Sequence, residues 1–138
     1  MMNGVPASLA SRSPPVRGRR ILVVDDNAEA AELMAEILRV SCHEVCTAGD
    51  GSSALEVARQ FRPELAILDI GLPVMDGYEL GQRLRAELGP SAPVLFALSG
   101  SGQASDRARS EAAGFDLHLV KPVDVARLLA AIEECLRD

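Results

Sequence analysis

The sequence predicts an α/β fold: a five-stranded parallel sheet, doubly wound by helices as (βα)5. Three observations predict it. From Arg20 onward, short apolar runs alternate with stretches of helical period, five times in about 118 residues. Three of the runs are apolar on both faces, as strands covered on both sides of a parallel sheet must be. The connections are short, so each accommodates one helical crossover, and chain chirality makes such crossovers right-handed.

The first strand is Ile21-Leu22-Val23-Val24. Asp25-Asp26-Asn27 follow, then Ala30, Leu33, Met34, Ile37 and Leu38 at the spacing of a helix. Glu44 to Ala48 is a weaker strand, and Gly51 to about Phe61 a helix. Leu65-Ala66-Ile67-Leu68 is a second fully apolar strand, ending at Asp69. Gly71 to Met75 is excluded from helix, because Pro73 biases Leu72 away from the helical region. Asp76 can cap a helix with Leu80, Leu84 and Leu88 on one face. Val94 to Leu98 is the third strong strand, closed by Ser99-Gly100-Ser101-Gly102. An Ala-rich helix from about Gln103 to Ala113 stops at Gly114. Leu117 to Val120 is the last strand, and Lys121-Pro122 follow it. Asp124 caps a final helix with Val125, Leu128, Leu129, Ile132 and Leu136 on its expected buried stripe. Residues 1–18, with Pro6, Pro14 and Pro15, read as a flexible tail or linker, which leaves 19–138 as the domain.

Charge narrows the functions. The 138 residues carry a net charge of −6, but the first 20 hold four arginines and no acid. From Ile21 onward 20 acidic side chains face 10 basic ones, a net charge of −10. Such a body repels a phosphate backbone, and with no Trp, one Tyr and three Phe it lacks platforms for stacked bases. That argues against nucleic-acid binding by this domain. No apolar run approaches the roughly 18 residues of a membrane span, and no secretory signal is legible, so no membrane partner is expected. Cys42, Cys46 and Cys135 are odd in number and lack zinc-type spacing, which suits reduced thiols in the cytoplasm.

In doubly wound sheets, ligands gather at the carboxyl ends of the strands. Asp25, Asp26, Asp69, Ser99 and Lys121 stand there. Each acid follows directly on an apolar strand, so the backbone fixes its position. If strands one and three are neighbours, three carboxylates converge, and each close pair costs roughly 1 to 4 kcal/mol of repulsion. Oxygen-only ligation suits Mg²⁺ rather than zinc. The structural alternative for Asp25 and Asp26 is helix capping; Asp69 is followed by non-helical residues and has nothing obvious to cap. Lys121 is the only lysine in the chain, held at a strand end where its ammonium can reach an acid or a phosphoryl group.

With these residues in place, the chain resembles the receiver domain of bacterial two-component response regulators, over about Arg20 to Asp138. It is similar to the chemotaxis-regulator type and to receivers of hybrid sensor kinases. Asp25-Asp26 match the family's metal-binding pair, and Asp69, within Leu68-Asp69-Ile70-Gly71-Leu72-Pro73-Val74-Met75-Asp76-Gly77, matches its phosphoacceptor. Ser99 matches the hydroxyl residue and Lys121-Pro122 the lysine-proline pair, where the family usually has a cis peptide. The resemblance implies the flavodoxin-like strand order 2-1-3-4-5. It also implies Mg²⁺ held by Asp26, Asp69 and the backbone carbonyl of Gly71, with Asp25 acting mainly through water. Asp69 would be the nucleophile toward a phosphohistidine of a sensor histidine kinase or histidine phosphotransfer protein. Lys121 and Ser99 would bind phosphoryl oxygens, and the fourth helix, fifth strand and fifth helix would form the partner face.

One position departs from the family. Three residues before the lysine, where Tyr or Phe is common and swings inward as the hydroxyl residue moves, this chain has His118. It is either a switch residue paired with Ser99 or a half-exposed histidine. Gly71 and Ser101, two residues beyond Asp69 and Ser99, are poorly suited to orient an attacking water, which points to a long-lived phosphoryl group. Three other readings compete. A phosphatase of haloacid-dehalogenase type wants an Asp where Gly71 stands. A nucleotide or flavin binder wants a phosphate loop after the first strand, where Asp25 and Asp26 would repel it. An interaction module acting without phosphate has no use for the acidic set. Both a free-standing receiver and a segment of a longer regulator or hybrid kinase fit the sequence.

Overall fold

The structure, a computed structural model, describes residues 18–100 and 104–136, with the backbone alone at 104–106. The tail residues 1–17, with Arg12 and Arg17, and Ser101, Gly102 and Gln103 lie outside the described residues. The chain alternates β1 (Arg20–Val24), α1 (Ala28–Val40), β2 (Glu44–Ala48), α2 (Gly51–Phe61), β3 (Leu65–Asp69) and α3 (Gly77–Leu88). It continues with a 3₁₀ turn at Gly89–Ser91, then β4 (Val94–Ser99), α4 (Ala104–Ala112), β5 (Leu117–Val120) and α5 (Val125–Cys135). All strand pairs are parallel, in the order β2-β1-β3-β4-β5. The expected fold class and strand order hold. Among the described residues no helix is long and apolar enough to cross a membrane.

Side chains alternate across the sheet and split the core in two. Leu22, Val24, Ala66, Leu68, Leu95 and Ala97 meet Ala54, Leu55 and Ala58 of α2 and Leu80 and Leu84 of α3 on one face. Ile21, Val23, Leu65, Ile67, Phe96 and Leu98 meet Ala31, Ala35 and Leu38 of α1 and Leu128 and Ile132 of α5 on the other. One predicted stripe shifts and another narrows. In α1 the inward residues are Ala31, Ala35 and Leu38, while Ala30 is exposed and Leu33 is 61% exposed. In α5, Val125 is exposed and Leu129 half-buried. The α1 stripe is thus rotated by about one residue, because its alanines fit closer to the sheet than Leu33, whereas α5 keeps Leu128, Ile132 and Leu136 buried as expected. Gly114 ends α4 at φ +88, a conformation that favours glycine.

At the amino-terminal pole of the sheet a polar network ties the domain together. Arg19 is buried, and its guanidinium bonds Glu64 at 3.1 Å and the Leu136 carbonyl. The Arg19 backbone N–H donates to His43 Nδ1 at 3.0 Å, and His43 is itself buried. That acceptor nitrogen must be unprotonated. Burial, aided by the Arg19 charge, pushes the His43 pKa below its ordinary 6.5, against the opposing pull of Glu133 and Glu64. A histidine whose folded pKa is depressed contributes stability that is whole above pH 6.5 and lost as pH falls toward the folded value. Urea unfolding from pH 7.5 to 5 should therefore show stability falling below pH 6.5, at no more than about 1.4 kcal/mol per pH unit from this group. His43→Gln should flatten the slope; an unchanged slope would place the acid sensitivity elsewhere.

Candidate functional site

The carboxyl ends of the three middle strands make the site. β1 pairs with β3 through Val24↔Leu68, so Asp25 and Asp69 leave neighbouring strands at the same level. Asp25 and Asp69 are buried, 4% and 7% exposed, and Asp26 is exposed. Carboxylate oxygens of Asp25, Asp26 and Asp69 all lie within 4.8 Å of one another. The Lys121 Nζ stands 3.3 Å from Asp69 Oδ2 and 3.8 Å from Asp25 Oδ2. Lys121 reaches across from β5 over the end of β4, where its backbone N–H donates to the Ser99 carbonyl at 2.8 Å. The Lys121–Pro122 peptide is cis. Ser99 is buried one residue beyond Leu98, the register partner of Asp69.

Local hydrogen bonds hold each acid. The cap of α1 is Asn27, whose Oδ1 accepts from the Ala30 N–H at 3.1 Å, so neither Asp25 nor Asp26 is the N-cap. Asp25 Oδ1 instead accepts the Asn27 N–H at 2.9 Å. Asp69 does have a local donor, contrary to expectation: the Gly71 N–H reaches its Oδ1 at 2.9 Å. A carboxylate two residues before an N–H makes such a turn without any helix. Each buried acid thus spends one oxygen on the backbone and turns the other toward its neighbours.

Gly77 sets the floor of the site. The Asp76 side chain caps α3 by accepting the Glu79 N–H at 2.9 Å, and a Cβ on Gly77 would stand 2.6 Å from the Asp69 carbonyl oxygen. Only glycine lets α3 start against the end of β3. Between them the chain turns through Val74, a β-branched residue at φ +66 whose side chain is fully exposed. Holding Val there costs of order 1 kcal/mol or more.

His118 is buried, 8% exposed, and not half-exposed; its Nδ1 is hydrogen-bonded to the Ser110 hydroxyl at 2.8 Å. Neither Ser110 nor Asn27 was singled out from the sequence. Asn27 could have been found, since it immediately precedes the helical spacing. Ser110 gave no signal in a polar helix.

Three carboxylates in this volume repel one another, and burial compounds the effect. Burial first, and the Asp69 charge next, raise the Asp25 pKa, while the Asn27 N–H and Lys121 draw it down. Oxygen-only donors at this spacing, with one acid open to solvent, fit a hard divalent cation.

Fold and cluster together define a flavodoxin-like domain whose ligand crevice is acidic. The chain matches the family profile of the response regulator receiver domain over residues 21–133. It is 40% identical over 122 residues to the transcriptional regulatory protein PrrA of Mycobacterium tuberculosis, and 35% identical over 119 residues to the DNA-binding response regulator MtrA of Mycobacterium leprae. The matches take 88% and 86% of this chain but 52% of each relative, so the chain spans about half their length. The chemotaxis protein CheY4 of Vibrio cholerae superimposes with a TM-score of 0.81 at 28% identity, over 87% of this chain and all of that one. The receiver domain of the sensor histidine kinase PA1611 of Pseudomonas aeruginosa, solved with magnesium in its active-site cleft, gives 0.76 at 29% identity, over 86% and 97%. The chain belongs to the response regulator receiver domain family of two-component signalling proteins.

Because folded Asp25 holds its proton more tightly than the unfolded residue does, its ionisation costs stability as pH rises through the ordinary carboxylate range. Asp25→Asn keeps an acceptor for the Asn27 N–H and removes one charge. In chelator at pH 7 it should be more stable than the parent by about 1 kcal/mol. Added magnesium should stabilise the parent, and the variant much less, both read from urea unfolding. A variant less stable than the parent in chelator would mean that Lys121 outweighs the repulsion.

Proposed function

We propose that residues 19–138 are a phosphoacceptor domain in which Asp69 takes a phosphoryl group from the phosphohistidine of a sensor histidine kinase or histidine phosphotransfer protein. The reaction depends on Mg²⁺ and takes place in the cytoplasm. The domain then presents a changed α4–β5–α5 face to a partner and turns over no substrate but its own phosphoryl group; residues 1–18 serve as tail or linker. The observation that carries this reading is the meeting of Asp25, Asp26 and Asp69 with the ammonium of Lys121 at one sheet edge.

The chemistry follows from what each group offers. A carboxylate oxygen of Asp69 forms the new P–O bond while the P–N bond of the donor breaks. The electron pair leaves on the imidazole nitrogen. Asp69 is suited to this because the Gly71 N–H fixes its orientation and little conformational freedom remains to be lost. Magnesium, when bound, neutralises charge on the phosphoryl oxygens; Asp26, Asp69 and the Gly71 carbonyl would hold it, with Asp25 reaching it through water. Lys121 sits 3.3 Å from the Asp69 oxygen and can stay on the phosphoryl group as it arrives, joined by the Ser99 hydroxyl. No proton transfer to Asp69 is needed, so no general base is required. Ser99 and His118 serve as switch residues, since both stand in β4 and β5 beside the lysine strand end.

Incubation with Mg²⁺ and acetyl phosphate should add one phosphoryl group to the parent chain and none to Asp69→Asn, as read by intact mass. The phosphoryl group should persist for minutes or longer, since Gly71 offers no side chain to orient water. Equal labelling of Asp69→Asn would move the acceptor elsewhere; steady hydrolysis of phosphate esters would favour a phosphatase.

A further inference from the structure

The helix α4 is held differently from the other four. Those bury alanines, leucines or isoleucines against the sheet. Of residues 107–112 in α4, Ser110 alone is buried, at 2% exposure. Its hydroxyl is bonded to His118 Nδ1 at 2.8 Å, and both partners are shielded from water. The adjacent Arg109 reaches the other way, 3.4 Å from Asp76 Oδ2 and 4.3 Å above the Tyr78 ring. Arg109 is 63% exposed, and an ion pair so placed is worth little. The Ser110–His118 bond is therefore an inward, water-shielded anchor of this stretch of α4. A helix whose described residues bury so little apolar surface sits at the low end of local stability.

The same bond ties α4, the helix that follows β4, to β5 on the lysine side of the site. α4 follows β4, which ends at Ser99, and His118 lies in β5 three residues before Lys121. Ser99 and Lys121 are themselves joined by the 2.8 Å backbone bond. A group on Asp69 that drew Ser99 and Lys121 toward it would pull on β5, which carries His118, and on the end of β4, from which the chain runs on toward α4.

We propose that Ser110 is a positioning residue for the chemistry at Asp69: through His118 it seats α4 on β5 and resists the shift of the β4 and β5 ends that a phosphoryl group demands. The proposal rests on the reading of Asp69 as phosphoacceptor. Coupling between sites is reciprocal, so if occupancy of Asp69 loosens the anchor, loss of the anchor tightens occupancy by the same factor.

The test titrates the full 138-residue chain with beryllofluoride in Mg²⁺, followed by amide NMR, with hydrogen exchange of the α4 amides on the same samples. Ser110→Ala and His118→Phe should each bind beryllofluoride about three- to ten-fold tighter, the factor that one net buried hydrogen bond is worth. Their α4 amides should exchange faster. Ser110→Thr keeps the hydroxyl and should restore parent-like affinity. Faster exchange with unchanged or weaker affinity overturns the proposal and makes Ser110 a packing residue. If Ser110→Ala does not fold, Ser110→Cys, which fills the same space but bonds the imidazole weakly, takes its place and decides by the same readouts. Failure of the phosphoacceptor reading looks different: beryllofluoride then binds no variant, or binds Asp69→Asn as well as the parent, and both ideas fall.

Discussion

Like charges held closer than they would choose govern this molecule. The pairing of β1 with β3 brings Asp25 and Asp69 to one level, and the backbone, not the side chains, decides that they meet. Each is fixed by an N–H two residues downstream, so neither can swing away to relieve the repulsion. One partly exposed ammonium offsets part of it. The pocket is left with unspent negative potential, which is what a site for a divalent cation requires. The apolar strands beneath are the rigid mount that keeps this arrangement from relaxing.

That rigidity is uneven. Three flanks of the site rest on packed elements: α1 and α5 on one face, α3 on the other, with Gly77 seating α3 against the Asp69 carbonyl. The fourth flank, α4, is largely polar and leans on a hydroxyl and an imidazole. Were Asp69 to take a phosphoryl group as proposed, the change of charge would be expressed through that wall, because the other walls have nowhere to go. The histidine in β5 thus occupies the seam between the firm and soft parts of the domain.

Most of this was legible beforehand, for a physical reason. Fully apolar runs such as Ile21–Val24 and Leu65–Leu68 admit few placements other than central strands, and residues directly after them inherit a fixed location. Asp25, Asp69 and Lys121 could therefore be placed at one sheet edge without coordinates. What escaped depends on small side chains and on rotation about helix axes. The inward residues of α1 are Ala31 and Ala35, which periodicity weighs less than Leu33. The local donor to Asp69 is a backbone N–H with no sequence signature. Buried His118 is bonded to Ser110 eight residues earlier, a contact that no periodic pattern encodes.

At the opposite pole, the Arg19 guanidinium touches the carbonyl of Leu136, so the start of the first strand and the end of the last helix are neighbours in space. The body can accordingly be closed into a ring by a short peptide and reopened at the exposed turn around Pro90, giving a circular permutant with its acidic crevice undisturbed. Evolution has the same freedom: modules grafted at either end of the body attach far from the crevice.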